Sequence, residues 1–313
     1  MKPLFGLLLV SAVFPVLAAS PYGEGFASGN AADYVEGKLP GEKVRIAPVD
    51  GVNALLVVGA RARLKPVSVR SLTKYTLSFD ASFRGDAESI EENPRFSILA
   101  QPGQRSPVLP SRTIQCLDAA GKPLGRPRTL SMPCRARHTY RDVFHTPRDA
   151  AALRLDVASG EGLTLALANL RLEETADEGA LNANPSFALG PLNYSGWHRI
   201  SAGGRLIEVD GKTVFDTKYG SRGTAFPLPG PGTYALSAKA TGNGYNSCVN
   251  VDIFDAEGKK LMRSVLRRYG QPKYFVPPKE AASASFLVYS CLLEEVRLLR
   301  VGDAKAIESL LKR

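Results

Sequence analysis

The feature that most constrains this chain is that it repeats itself. A strand, turn and return strand, Ile114-Gln115-Cys116-Leu117-Asp118-Ala119-Ala120-Gly121-Lys122-Pro123-Leu124, comes again as Val251-Asp252-Ile253-Phe254-Asp255-Ala256-Glu257-Gly258-Lys259-Lys260-Leu261. Both copies alternate towards a tight turn carrying Asp and Gly, the pattern of a β-hairpin. Further on, Phe144-His145-Thr146-Pro147 matches Phe275-Val276-Pro277-Pro278, each leading through small residues into an apolar strand. Before the hairpins, Tyr75-Thr76-Leu77-Ser78 matches Tyr234-Ala235-Leu236-Ser237. Each copy closes on a last strand, Leu170-Arg171-Leu172 and Val296-Arg297-Leu298. Matched elements in one order point to tandem copies of a single β-rich unit.

The expected organisation follows from this repeat. Residues 1–19 read as a signal peptide, 20–174 as the first β-sandwich, 175–181 as a polar linker and 182–313 as the second sandwich. The first unit is longer by a charged, Pro-containing insertion at roughly 83–112, the kind of loop that often carries function. Helix signals are few. Asp303 can cap a short C-terminal helix whose Ile307, Leu310 and Leu311 share one face. The abundant Gly (29) and Pro (22) suit many turns between short strands.

The N-terminus constrains the compartment. Lys2 precedes an apolar run from Leu4 to Leu17, closed by Ala18-Ala19-Ser20, which is the order of a secretory signal. Pro15 and the short run argue against a retained anchor, since a spanning helix needs roughly 20 apolar residues. An exported chain meets oxidising conditions, so its four cysteines are expected as disulfides, most simply Cys116–Cys134 and Cys248–Cys291 among three connectivities. With no Cys-x-x-Cys spacing and three histidines, a structural zinc site is not expected. The net charge of +10 favours acidic partners: sulfated or uronic glycans, or anionic lipid head groups. Export sets nucleic acid aside, and no later segment is long and apolar enough to span a membrane. The plain alternative is a basic surface that serves solubility alone.

The ordered set resembles the jelly-roll carbohydrate-binding modules of bacterial glycoside hydrolases and, more broadly, the galactose-binding-like sandwiches. The resemblance rests on an opening segment Asn184-Pro185-Ser186-Phe187 with Gly196-Trp197 following, the Tyr-x-Leu-Ser strand, the strand ending in Asp-x-x-Gly, the Phe-x-x-Pro element and the closing strand after Glu294-Glu295. It implies an all-β protein of two tandem antiparallel jelly-roll β-sandwiches that binds carbohydrate without catalysis. Such modules often hold a structural calcium through an acidic residue after the opening Phe. Here that position is Ala188, and the first unit has Asn169 in its closing strand, so the carboxylate count is low. Glu294 or Glu295 keeps a calcium ligand available in the second unit; no other cofactor is implied.

No Gly-x-Ser-x-Gly elbow, phosphate loop or His-Glu-x-x-His motif is present. The paired acids Glu91-Glu92, Glu173-Glu174 and Glu294-Glu295 are sequence neighbours, which on a strand point to opposite faces. A glycan instead needs flat aromatic faces and polar forks. The turn at 255–259 places both outer ends of its hairpin at the opposite end of the sandwich. Those ends carry Asn243, Tyr245, Asn246, Arg268 and Tyr269, which make the candidate edge. The first unit offers Arg135, Arg137, His138, Tyr140 and Arg141 after its own hairpin. Trp197 is either a sugar platform or core. Asn193-Tyr194-Ser195 matches a glycosylation acceptor only weakly. Two other functions stay open, a structural or adhesive protein that grips a protein partner and an enzyme of unrecognised type.

Overall fold

The computed structural model describes residues 26–37, 41–89, 109–175, 180–190, 192–199, 204–218, 220–241 and 247–301. The signal segment at 1–19, part of the linker, most of the first-unit insertion and the C-terminal helix lie outside the described residues.

The described residues form antiparallel strands joined by turns, with two short 3-10 segments near the start. In the first half these are β1 (Val44–Val49), β2 (Val52–Val58), β3 (Arg61–Arg63), β4 (Val67–Ser68), β5 (Lys74–Arg84), β6 (Ser111–Leu117), β7 (Pro123–Ser131), β8 (His138–His145), β9 (Ala152–Ala158) and β10 (Thr164–Glu174). The second half has β11 (Trp197–Arg199), β12 (Arg205–Val209), β13 (Lys212–Asp216), β14 (Ser221–Gly223), β15 (Phe226–Pro227), β16 (Tyr234–Thr241), β17 (Cys248–Phe254), β18 (Lys260–Leu266), β19 (Lys273–Phe275), β20 (Ser283–Tyr289) and β21 (Leu292–Arg300). One sheet of the first half runs β1-β2-β10-β5-β8, and its partner runs β3-β9-β6-β7 with β4 also on β9. The second half repeats both orders, as β12-β13-β21-β16-β19 and as β14-β20-β17-β18 with β15 on β20; β11 is an added edge on β14.

Each half closes its two sheets over one core. On β5, residues alternate between core and outer face along the strand, as the two-residue period of a pleated strand requires. Leu55, Leu77 and Leu165 of one sheet meet Ile114, Leu155 and Val157 of the other. In the second half Leu236, Leu293 and Leu298 meet Val251, Ile253 and Phe286. Tyr75 stacks on Phe144 at 6.4 Å, and Tyr234 stacks on Phe275 at 6.1 Å. The hairpin turns match atom for atom: Lys122 N–H and Lys259 N–H both donate to the carboxylate of the Asp four residues before them, at 2.8 and 2.7 Å. Pro147 and Pro278 each accept from the amide three residues on.

The halves are joined along a seam. β8 is a sheet edge, and such edges are usually covered or blunted. Here the second half's 193–195 segment covers it. Ser195 Oγ accepts from Val143 N–H at 2.8 Å, and the Asn193 amide donates to the Arg141 carbonyl. Asn193 and Ser195 are buried, so this sequence is structural and not a glycan acceptor. Arg128 donates to the Tyr194 carbonyl at 3.0 Å, and Leu130 packs into the second core. Burial lowers the Arg128 pKa, with the positive charge of Arg112 adding to the effect and Asp142 opposing it.

Two expectations are corrected here. All four cysteines are free thiols. Cys116 lies opposite Leu124, whereas Cys134 lies beyond Ser131, which faces Ser111. The run from Ser111 to Cys116 spans roughly 17 Å at about 3.4 Å per residue, beyond what a disulfide bridges. Cys248 and Cys291 do lie together, but as thiols. Burial raises the Cys291 thiol pKa, its sulfur 3.6 Å from the Thr217 hydroxyl. Trp197 is core, 2% exposed, with its ring 4.8 Å from Phe215 and 6.3 Å from Phe187. An enclosed indole offers no face to a sugar.

Candidate functional site

The candidate edge of the second half lies where β17 begins and β18 ends, since Val249 pairs with Leu266 there while Asp255–Lys259 closes the far end. Of the sequence-derived residues, Arg268 and Tyr269 are at this edge. Asn243, Tyr245 and Asn246 lie outside the described residues. The Tyr269 and Ser247 hydroxyls are 2.9 Å apart, which ties the loop after β18 to the segment before β17. Tyr269 is half-buried against the core, and burial pushes its phenol up to about 12 in spite of the Ser247 bond. Arg268 is exposed.

The ground beneath this edge is stiff. Thr217 and Cys291 exchange backbone and hydroxyl hydrogen bonds at 3.0 Å. The Ser290 hydroxyl donates to the Lys218 carbonyl at 2.9 Å, and Lys218 pairs with Asp216 at 3.2 Å. Arg268 is an exposed cation two residues after β18 and next to Tyr269, which the Ser247 contact ties down, and a cation beside a half-exposed ring is suited to an anionic, partly apolar ligand.

The corresponding basic cluster of the first half is largely committed to the fold. Tyr140 is buried, stacked on Phe79 at 5.5 Å, with its hydroxyl accepting from Cys134 N–H. Arg135 donates to the carbonyls of Gly85 and Ala87 and lies over the Phe83 ring. Arg137 holds Asp80 at 2.6 Å.

That last contact belongs to a cluster the sequence did not disclose. Asp80, on the outer face of the first sheet, accepts from Thr139 at 2.6 Å, from Arg137 and from Asn169 at 2.8 Å. Burial alone would raise its pKa, but these donors outweigh it and hold the carboxylate below its usual value. Alternation along β5 was the available signal for Asp80; Asn169 reaches it from a β-bulge in β10, which no local pattern marks.

As for a metal, Glu295 is engaged by Arg297 at 2.8 Å. Among the described residues no three His, Cys, Asp or Glu side chains converge. Among the same residues no helix is long and apolar enough to cross a membrane.

No protein-family model matches this chain, and no curated protein matches it. The solved structures similar to it are mostly carbohydrate-binding modules. A tandem of two family 22 modules from Paenibacillus barcinonensis Xyn10C is 13% identical, covering 91% of this chain and 97% of that one at a TM-score of 0.32. A family 16 carbohydrate-binding module is 18% identical over 47% of this chain and 96% of its own length, also at 0.32. The enzymatically active domain of a bacteriophage CBA120 tailspike protein is 14% identical over 47% of this chain at 0.34; the match spans only 20% of that domain.

Proposed function

We propose that this chain is an exported, non-catalytic glycan-binding protein of two jelly-roll sandwiches, and that the second half holds its ligand at the edge around Arg268 and Tyr269. The observation that carries this reading is the contact between Tyr269 and Ser247, which brings two loops to one edge beside an exposed arginine. The part of the Tyr269 ring left open meets the C–H face of a pyranose, and the Arg268 fork takes a carboxylate or sulfate. The net charge of +10 favours an acidic glycan over a neutral one.

The test is retention of the full chain on immobilised acidic and neutral polysaccharides at low and high salt. Acidic material should be retained and released as salt rises, because exposed charges are screened. Arg268→Ala should weaken retention by about two- to fivefold, the scale of one exposed ion pair, without changing stability. Unchanged retention in Arg268→Ala and in Tyr269→Ala places the glycan elsewhere on the protein.

A second reading, a module that grips another protein, is favoured by one observation. Tyr274 and Val276, on and just after edge strand β19, are 42% and 55% exposed. Absence of binding to every polysaccharide would move the assignment to that surface.

A further inference from the structure

The seam covers a sheet edge of the first half, and the repeat gives the second half the same edge. In the seam, Val143 of β8 is 5% exposed, and its N–H donates to Ser195 Oγ at 2.8 Å. His145 lies against Phe226 of the second half, with ring centres 6.1 Å apart. Val143 faces Thr76 on β5, and Tyr274 faces Ala235 on β16. Thr76 and Ala235 each follow the matched tyrosines, Tyr75 and Tyr234. Tyr274 therefore stands where Val143 stands, and Val276 where His145 stands. These two counterparts are 42% and 55% exposed. The shared register also points the Tyr274 N–H out of its own sheet, as it points that of Val143. β19 ends its sheet, and edges with open N–H groups and apolar side chains invite pairing.

The covering piece is repeated as well. Trp197 pairs with Gly223, and Val35 pairs with Leu64. Two residues before them, Ser221 and Ala62 face Val288 and Val157. Those valines are equivalent, since they face Val249 and Arg112 in the matched hairpins. Val35 thus stands where Trp197 stands, and Ala31–Asp33 where Asn193–Ser195 stand. The second half's copy is spent on β8. The first half's copy is a short 3-10 turn whose Ala32 and Asp33 are exposed. Asp33 puts a carboxylate in the place of the Ser195 hydroxyl, a stronger acceptor for a strand N–H. Its charge, with that of exposed Glu36, is opposite to that of Lys273, which is exposed beside Tyr274.

We infer that the chain associates head to tail with a second copy of itself, the 31–33 segment of one copy covering the β19 edge of the next as 193–195 covers β8 within the chain. The inference rests on the reading of β19 as a protein-gripping surface and names its partner; it makes no use of the Arg268 edge. The contact is heterologous. Each copy carries one open edge and one covering segment, so association runs on past pairs.

The experiment is sedimentation velocity of the chain freed of residues 1–19, over a range of concentrations. Mass should rise with concentration beyond that of a dimer. Tyr274→Lys spoils the edge, and Ala32→Arg with Asp33→Arg spoils the covering segment. All three positions are exposed, so both proteins should keep the wild-type unfolding midpoint. Each alone should self-associate at least about tenfold more weakly, the scale of one lost anchor. Mixed, the two should form pairs and stop there, because one intact segment then meets one intact edge. Undiminished association of the Ala32/Asp33 variant alone, or a mixture without pairs, would overturn the head-to-tail contact. A wild-type chain that stays monomeric up to about 1 mM, where even a millimolar contact would populate pairs, would overturn it too. Slow hydrogen exchange at the Tyr274 amide in that monomer would assign the edge to a segment of the same chain, and fast exchange would leave it for a foreign protein. The glycan reading survives either result.

Discussion

The two halves share a strand order but close their cores differently at one place. In the first half Arg112, on β6, crosses between the sheets to Asp142 on β8, with two hydrogen bonds at 2.6 and 2.8 Å. Both side chains are almost fully buried, and the guanidinium lies 5.3 and 5.0 Å from the Phe79 and Tyr140 rings. The register puts Val249 where Arg112 stands, Ala238 where Phe79 stands and Lys273 where Asp142 stands. Val249 is fully buried, and Lys273 points outward, donating to the Val265 carbonyl. The fold therefore closes without an ion pair. In the first half the pair is an added tie between sheets, and what it protects is mainly its own members from being buried alone.

The largest effect is expected from breaking that tie on one side. Arg112→Met leaves Asp142 charged and buried, and should cost about 3–5 kcal/mol. Arg112→Met with Asp142→Leu, which brings the first half towards the apolar arrangement of the second, should recover most of the loss. Equilibrium urea unfolding of the two variants decides between them. A double variant as unstable as the single one would mean that the pair carries net stability of its own.

The seam gives a second contrast. His145, at the end of β8, is held among Lys74 and Phe226, whereas its counterpart Val276 lies open to solvent. Burial, and then the Lys74 charge, push the His145 pKa down to about 4 from 6.5. The unfolded chain thus binds a proton more readily than the folded one between these values. Stability is full above about pH 6.5 and is lost as pH falls towards 4, by about 3 kcal/mol. Unfolding measured at neutral pH and near pH 4.5 should show this loss, and His145→Gln should reduce it. An unchanged slope in the variant would assign the acid sensitivity to the carboxylates. No equivalent contribution arises at Val276.

The contrast between halves also marks what could be read from residues alone. The tyrosines at 75 and 234, the hairpin turns at Asp118 and Asp255 and the prolines at 147 and 278 were legible because turn chemistry and a period of two are local. Cysteine pairing was not, because two cysteines in one hairpin can lie at opposite ends of it. The aromatic residues were misleading for a similar reason. By sequence Tyr140 falls in a basic surface cluster and Trp197 is open between sugar platform and core; their strands turn both inward. Arg268 and Tyr269 were placed at one edge from topology, and the Ser247 contact supplies the geometry that topology lacked. Asp80 had the alternation of β5 as its signal, but its donors Arg137, Thr139 and Asn169 come from separate segments and had no signature along the chain.

The smallest expected effect tests how far the halves are alike. Asp50-Gly51 joins β1 to β2 and Asp210-Gly211 joins β12 to β13, a signal written plainly in both copies. All four residues have positive φ: 51° and 78° in the first turn, 50° and 72° in the second. Left-handed backbone at both central positions is the two-residue turn that matches the twist of the flanking strands. A Cβ added at Gly51 or Gly211 would meet no atom within 4 Å, so steric crowding contributes nothing. What remains is the backbone preference itself, and Gly→Ala at each site should cost about 1 kcal/mol. Because the cause is local, the two costs should agree, even though the halves differ in core and seam. Thermal unfolding of Gly51→Ala, Gly211→Ala and the double variant tests this. Equal single losses that add in the double show the turns acting independently; a much larger loss at one site would mean that its hairpin is tied to something beyond its own turn.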